Sequence, residues 1–395
     1  MFNEDEIRQR AGTYLPEPAG YRAFVPASLP PNPAIVFDAA LASLLSNADV
    51  QLGRLDGATS ILPNPDLFVA MYVRQEAVLS SQIEGTQASL TDVLQYEAED
   101  DGVGPGADVG EVVNYVRAMK HGLARLPELP LSLRLIREIH AELMQGVRGQ
   151  ERQRGDFRTS QNWIGAGGST IATATFVPPA PHRLGEALSN LERFLHDAHL
   201  PPLVQAAIAH AQFETIHPFL DGNGRVGRLL ITFLLCHRGV LGKPLLYLSH
   251  YLKQHRAEYY DRLQAVRIEG RWEEWIAFFL RGVSEVARSA TDTARRITAL
   301  RDQNQRLLQA EGKASGNLLR ALDVLFESPV VTVRLLEQRL QVTFATANSA
   351  ASRLVELGVL RERTGYARNR RFVFEPYLAL FEADSAMSPS SAGPP

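Results

Sequence analysis

Along most of this chain apolar residues recur at intervals of three and four, the spacing that gathers them on one face of a helix. The pattern is helical from Phe37 onward. In NPDLFVAMYVRQEAVLSSQIEGTQ, Asn64 can cap, Pro65 suits a first turn, Asp66 complements the helix dipole and Gly85 can end the helix, so a helix is predicted from about Pro65 to Glu84. Further helices are predicted near Glu111 to Leu123, in LSLRLIREIHAELMQG ending at Gly146, in RLGEALSNLERFLHDA, in PPLVQAAIAHAQFETI, in RVGRLLITFLLCHRGV and in SHYLKQHRAEYYDRLQAVR. The segment WEEWIAFFLRGVSEVARSATDTARRITALRDQNQRLLQ predicts a long helix that grows polar toward its end and acts as a connecting rod.

Other segments depart from that period. Residues 1 to about 33 are rich in proline and aromatic residues, which suits an extended arm docked on a domain surface. GDFRTSQNWIGAGGSTIATATFVPPAP is β-rich, punctuated by glycine and closed by prolines, and predicts a hairpin-like flap. Past Glu311, three short helices in LLRALDVLFES, TVRLLEQRL and TFATANSAASRLVELG precede VLRERTGYARNRRFVFEP, which alternates like a two-stranded wing turning at Gly365. This order resembles a winged helix-turn-helix. The fold class expected is mainly α: a helical bundle with a β-hairpin flap, plus that C-terminal unit. The predicted division is an arm and helical region over 1–105, a central domain over 106–290, a helical connector over 291–311, the winged unit over 312–380 and a disordered tail over 381–395.

Composition narrows the function classes. A chain of 395 residues, 45% hydrophobic and 22% charged, reads as a soluble globular protein of two or three domains. The net charge of −3 exerts no global pull on nucleic acid or anionic membrane, so any such contact must be local. One cysteine, Cys236, allows neither a disulfide framework nor a cysteine metal site within one chain, and a reducing cytosol is the expected setting. The acidic MFNEDEIRQR start and the lack of an apolar run approaching ~20 residues predict a cytoplasmic protein with no export signal and no membrane anchor.

Candidate chemistry concentrates in HPFLDGNGRVGR, His217 to Arg228, between two apolar helices. Gly222, Asn223 and Gly224 can take positive φ, so that successive main-chain N–H groups converge in a concave nest for an anion. The next helix starts there, adding free N–H groups and the positive end of its dipole, with Arg225 and Arg228 three apart on one face. Asp221 is a hard oxygen ligand suited to a magnesium ion between phosphate oxygens, and His217 can take up a proton near neutral pH. A simple turn with solvated arginines would account for any one of these residues, but as an account of the whole set it needs several coincidences. There is no G-x-x-x-x-G-K-[ST] loop, and His210 with His217 is too few for zinc.

These twelve residues match at every fixed position the signature HxFx(D/E)GNGRxxR, and the chain is therefore similar to the Fic domain family. The resemblance implies transfer of AMP from ATP to a Ser, Thr or Tyr hydroxyl of a target protein, and thus an enzyme of the nucleotidyltransferase class with magnesium as cofactor. It implies that His217 is the general base, that Asp221 helps hold the metal and that Phe219 anchors the loop. Gly222, Asn223, Gly224, Val226 and Gly227 would line the phosphate cradle, with Arg225 and Arg228 clamping the β/γ end. Tyr259, Tyr260 and Arg267 resemble the residues near the adenine. Thr175, Phe176 and Val177 fall in a segment that looks like the flap by which such proteins align a target through main-chain pairing.

LSSQIEG adds a second element, because Ser80, Glu84 and Gly85 fit the family's inhibitory pattern (S/T)xxxE(G/N). Ser80 and Glu84 share a helix face, and the resemblance implies that Glu84 pairs with Arg228 where the γ-phosphate would lie. Self-modification and a homodimer are further expectations. Arg361, Arg363, Arg368, Arg370 and Arg371 on the wing, with Thr343, Thr346, Asn348 and Ser349 on the recognition helix, could contact DNA, while a protein-docking use of the same unit is equally open. Two alternatives to AMP transfer are a Fic-fold enzyme that moves another phosphate-linked group or removes AMP, and a nucleotide-sensing DNA-binding regulator.

Overall fold

The computed structural model describes residues 7–60, 65–98, 106–147, 153–312, 315–364 and 370–386. The predicted cap at Asn64, the turn at Gly365 and the side chain of Arg368 lie outside them. Fifteen α-helices and five short strands are found among the described residues. The arm contributes β1 (Thr13–Pro16) and β2 (Arg22–Val25), an antiparallel hairpin with Tyr14 opposite Phe24. Then come α1 (Ala39–Ser60), α2 (Pro65–Ile83), α3 (Leu90–Ala98), α4 (Ala107–Arg125) and α5 (Leu133–Leu143). After the flap segment follow α6 (Leu184–Leu195), α7 (Pro202–Ile216), α8 (Asn223–His237), α9 (Ser249–Gln254), α10 (Arg256–Glu269) and α11 (Trp272–Gln309).

The centre of the fold is α7 against α8. Every residue of α7 from Leu203 to Ile216 is buried, as are those of α8 from Asn223 to Leu235. A helix that is closed to water on all sides belongs to a core, and these two hold the candidate loop between their ends. Around them α1 lies along α11, whose 38 residues make a rod roughly 57 Å long. Trp275 of α11 donates from Nε1 to the Ala207 carbonyl at 2.8 Å, which locks the rod to α7. The stretch predicted as a separate connector is the second half of α11, because Ala287, Ala290, Ala294 and Ile297 continue its buried stripe. Among the described residues, no helix is long and apolar enough to cross a membrane.

The single helix predicted in SHYLKQHRAEYYDRLQAVR is instead two. His255 leaves helical conformation at φ −105°, ψ 37°, with its ring packed on Tyr251 at 4.4 Å between centroids. The flap is also less β-structured than its composition predicts. Only Ile164 and Phe176 form a bridge, through bonds of 2.8 and 3.0 Å. Glycines 165, 167 and 168 spend the intervening residues on turns, and Pro178 and Pro179 bring no N–H to a ladder.

The C-terminal unit comprises α12 (Ser315–Glu327), β3 (Val330–Thr332), α13 (Val333–Leu340), α14 (Phe344–Glu356), β4 (Arg361–Glu362), β5 (Arg371–Val373) and α15 (Glu375–Ala386), its sheet ordered β3-β5-β4. Thr332 and Thr343 cap α13 and α14 through their side-chain oxygens. The tail predicted to be disordered from residue 381 is helical through Ala386, because Tyr377, Leu378 and Phe381 form a buried stripe and Phe381 meets Tyr72 of α2 at 5.5 Å. Arg361 and Arg363 both pair with Glu375, and Arg370 pairs with Glu362 and donates to Asn348. The wing's guanidinium charge is thus partly neutralised from within.

Close packing of α9 on α11 rests on Gly282, where a Cβ would come within 2.5 Å of the Tyr251 ring. Gly→Ala at an exposed helix position gains about 1 kcal/mol. Gly282→Ala is expected to do the reverse and lower the melting temperature, which thermal unfolding followed by circular dichroism checks.

Candidate active site

The loop from His217 to Gly222 joins the end of α7 to the start of α8. His217 occupies the left-handed region at φ 48°, ψ 60°, where a residue with a side chain costs roughly 1–2 kcal/mol, and its N–H closes the helix on the Phe213 carbonyl. The conformation persists because neighbours fix it. Arg158 donates from Nε to the His217 carbonyl at 2.9 Å and from its main-chain N–H to Pro218, and Asn162 donates to the Phe219 carbonyl at 2.8 Å. No sequence pattern marks either residue, since both lie in the glycine- and proline-punctuated flap segment.

Asn223 braces the loop from the other side. Its Oδ1 accepts from the Phe219 N–H and its Nδ2 donates to the Phe219 carbonyl, both at 2.8 Å. The side chain is therefore spent on shaping the turn, and it is the main-chain N–H of Asn223 that faces the cradle. Phe219 is buried, stacked on the His140 ring at 3.8 Å and 7°. His140 accepts the Gly155 N–H at Nδ1, so its Nε2 carries the proton that it donates to the Asp221 carbonyl at 3.1 Å. Burial pushes this ring down to about 4, so it serves as a neutral strut.

Gly222 is left-handed at φ 76° and precedes α8. The N–H groups of Asn223, Gly224 and Arg225 make no hydrogen bond among the described residues, the open donor set that an anion at a helix N-terminus would fill. Asp221 is at the rim, where its Oδ1 accepts the Gly222 N–H and lies 3.7 Å from Arg225. Among the described residues no three His, Cys, Asp or Glu side chains group closely enough to hold a metal by themselves. Magnesium commonly takes one carboxylate and completes its shell with phosphates and water, and Asp221 beside the open N–H groups fits that mode.

The two arginines differ. Arg225 turns inward and pairs with Glu111 of α4 at 3.1 Å, while Glu111 also accepts from Thr86 at 3.0 Å. Arg228 is 3% exposed and held by α2 and the residue just beyond it: Nε donates to Ser80 Oγ at 2.7 Å, and Nη2 donates to the Ser80 carbonyl at 3.0 Å and to Glu84 Oε1 at 2.7 Å. Burial opposes the charge of Glu84, but the Arg228 guanidinium overrides it and holds the carboxyl below its usual range. Gly224 makes this pair possible, because a Cβ there would stand 2.1 Å from Glu84 Oε1. Gly85 ends the segment at φ 103°.

Burial and the cations Arg267 and Arg158 push His217 down to about 3, with Glu84 and the Glu214 main chain pulling back only in part. Its Nδ1 is buried without a hydrogen bond. The ring is neutral at pH 7, the form that accepts a proton.

The adenine-side residues separate on folding. Tyr259 is buried and donates its hydroxyl to His210 Nε2 at 2.8 Å, whereas Tyr260 is 41% exposed at the rim. Arg267 is buried, bonded to Thr215 Oγ1 and the Glu214 carbonyl and stacked on Phe176 at 4.2 Å. Phe176 and Val177 are buried and Thr175 is exposed. The Val177 carbonyl accepts the Phe24 N–H of β2 at 2.9 Å, so the arm already takes part of the edge expected to pair with a target.

Residues 42–124 match the Fic/DOC family N-terminal region and residues 130–235 the Fic/DOC family itself. Over 229 residues the chain is 31% identical to the protein adenylyltransferase Fic of Drosophila erecta, a span of 57% of this chain and 41% of that protein. Over 173 residues it is 34% identical to the protein of the same name from Aedes aegypti, covering 42% of this chain and 31% of that one. The chain thus spans less than half the length of these curated relatives. A Fic family protein from Desulfovibrio desulfuricans G20 shares its fold over 86% of this chain and 97% of its own, with a TM-score of 0.57 and 19% identity.

The depressed pKa of His217 has a direct spectroscopic consequence. A histidine with a folded pKa near 3 stays neutral as pH falls through 6.5, so the ring-carbon resonances of His217 are expected to hold their neutral shifts from pH 8 to pH 5. NMR of ring-labelled protein against a His217→Ala control checks this, and a midpoint near 6.5 would contradict it.

Proposed function

The chain belongs to the Fic/DOC family, and from that premise we propose that it is a protein adenylyltransferase that moves AMP from ATP to a hydroxyl side chain of a target protein and is restrained by its own Glu84. The observation that carries the reading is the pair between Glu84 and Arg228, set over the open N–H groups of α8 and near a neutral His217.

The chemistry follows from placement. The N–H groups of Asn223, Gly224 and Arg225 hold the phosphate chain, and Arg228, once released, takes its terminal end. The target hydroxyl is placed in line with the α-phosphorus. As its oxygen forms the new P–O bond, its proton passes to His217 and the bond to pyrophosphate breaks. Magnesium, when bound, would neutralise charge on the phosphate oxygens, and Asp221 is the residue that would hold it. The charge that the phosphates bring raises the basicity of the imidazole where it is needed.

Glu84 blocks this by competition. A carboxylate on Nη2 of Arg228 and a terminal phosphate cannot occupy one guanidinium edge together, and Ser80 fixes the arginine in the pose that favours Glu84. A hydrogen bond to a charged group is worth about 1.5–3 kcal/mol, or roughly 10- to 100-fold in an equilibrium.

Glu84→Gly is accordingly expected to raise transfer from α-labelled ATP, self-modification included, by about tenfold or more; equal labelling in the two forms would refute restraint by Glu84. His217→Ala in that background is expected to lower transfer by ~100-fold or more while leaving ATP affinity within a few-fold, as intact-protein mass and calorimetry would show.

A further inference from the structure

Glu214 of α7 belongs to no part of the mechanism above. It precedes His217 by three residues, is 7% exposed, and its Oε1 is buried with no hydrogen bond. Its place is made by Gly227, where a Cβ would stand 2.5 Å from that oxygen. Gly227, expected from the motif to line the phosphate cradle, instead makes room for a carboxyl. Charged and titratable groups face that carboxyl from several elements: Arg228 from α8, Arg267, Tyr259 and Tyr260 from α10, Glu84 from the end of the inhibitory segment, and His210 from its own helix.

Three carboxyls thus act on one guanidinium: Glu84 is bonded to it, Glu76 of α2 is spent on Ser249 and Tyr115, and Glu214 keeps a buried oxygen without a hydrogen bond. We propose that Glu214 is the reserve counter-ion of Arg228: it ionises when Glu84 withdraws and takes a proton back when nucleotide phosphate arrives, so that exchange of Glu84 for ATP moves a proton. This rests on the reading that Glu84 holds the phosphate's place. A buried arginine stripped of its partner is costly, and a second acid within electrostatic reach lowers that cost for the interval between the two anions. While Glu84 is present, burial and its negative charge raise the pKa of Glu214 to about 7, so that the carboxyl is roughly half protonated at neutral pH. Removing Glu84 leaves Arg228 and Arg267 to favour the ionised form, and a bound polyphosphate restores the repulsion. The proton comes from buffer and returns to it, and no bond other than O–H is made or broken.

Two measurements on the full chain test this independently. The first uses no nucleotide. A carboxyl raised by folding stabilises the protein below its ordinary value of 4.5, and that contribution is lost as pH rises through about 7. The melting temperature of Glu214→Gln should therefore gain on wild type by roughly a few degrees between pH 5 and pH 8, and gain less when the same substitution is made in Glu84→Gly. Equal gains in both backgrounds, or none in wild type, would overturn the proposal. The second is calorimetry of ATP binding at pH 7 in buffers of different ionisation enthalpy. Glu84→Gly should take up roughly half a proton more per ATP than Glu84→Gly/Glu214→Gln, the difference being the part that belongs to Glu214. The same uptake in both overturns the role of Glu214. Failure of either protein to bind ATP overturns the functional reading itself, and with it the exchange, while the melting series still reports on Glu214.

Discussion

A guanidinium buried beside the positive end of a helix has to be met by anions, and Arg228 is in that position. The start of α8 disfavours a cation, and burial removes the water that would otherwise shield it. The protein answers with Ser80, Glu84 and, at longer range, Glu76 and Glu214. Each comes from a different part of the site than the helix that carries the arginine, so the pair with Glu84 ties residues 144 positions apart. A substrate phosphate would satisfy the same demand. The requirement that stabilises the resting protein is therefore the requirement that a nucleotide would exploit.

The loop preceding that helix is rigid for a related reason. Main-chain groups that are to face a phosphate cannot be spent within the protein, so other groups must hold the loop in shape. Asn223 bonds Phe219 in both directions, Asn162 and Arg158 hold the carbonyls of His217 and Phe219, and a neutral His140 stacks under Phe219 while donating to Asp221. Together they keep His217 in a left-handed conformation it would not hold alone, leaving the N–H groups of α8 open. One consequence is that the substitutions most damaging to the site need not touch a substrate.

The inhibitory segment is not an isolated plug. Tyr72 of α2 packs on Phe68, Tyr247 and Phe381, so the helix that leads to Glu84 is seated between the central domain and the last helix of the C-terminal unit. The arm is seated on the flap through Phe24 and Phe176, with Arg267 stacked on the latter. Segments that read as peripheral along the chain are thus in contact with the elements that frame the site, the inhibitory helix through the main apolar core and the arm through a smaller cluster of Ala23, Val177 and Ala180.

Periodicity and local turn chemistry were enough to place most helices, because both act within a few residues of one another: Pro65 opens α2, Gly85 follows its end, and the predominantly apolar residues of α7 and α8 bury them. The motif from His217 to Arg228 identified the candidate site for the same reason, since a phosphate cradle is built from contiguous backbone. What that local pattern could not supply was pairing at a distance. It could not show that Asn223 bonds the main chain of Phe219, that Gly227 makes room for Glu214, that Arg225 belongs to Glu111, that Tyr259 turns to His210 or that the flap keeps only one bridge. Glu214 reads in sequence as one more polar residue of a helix. Only tertiary packing encloses it among two arginines and a second acid, because burial and the field of distant charges belong to the folded chain and not to any stretch of it.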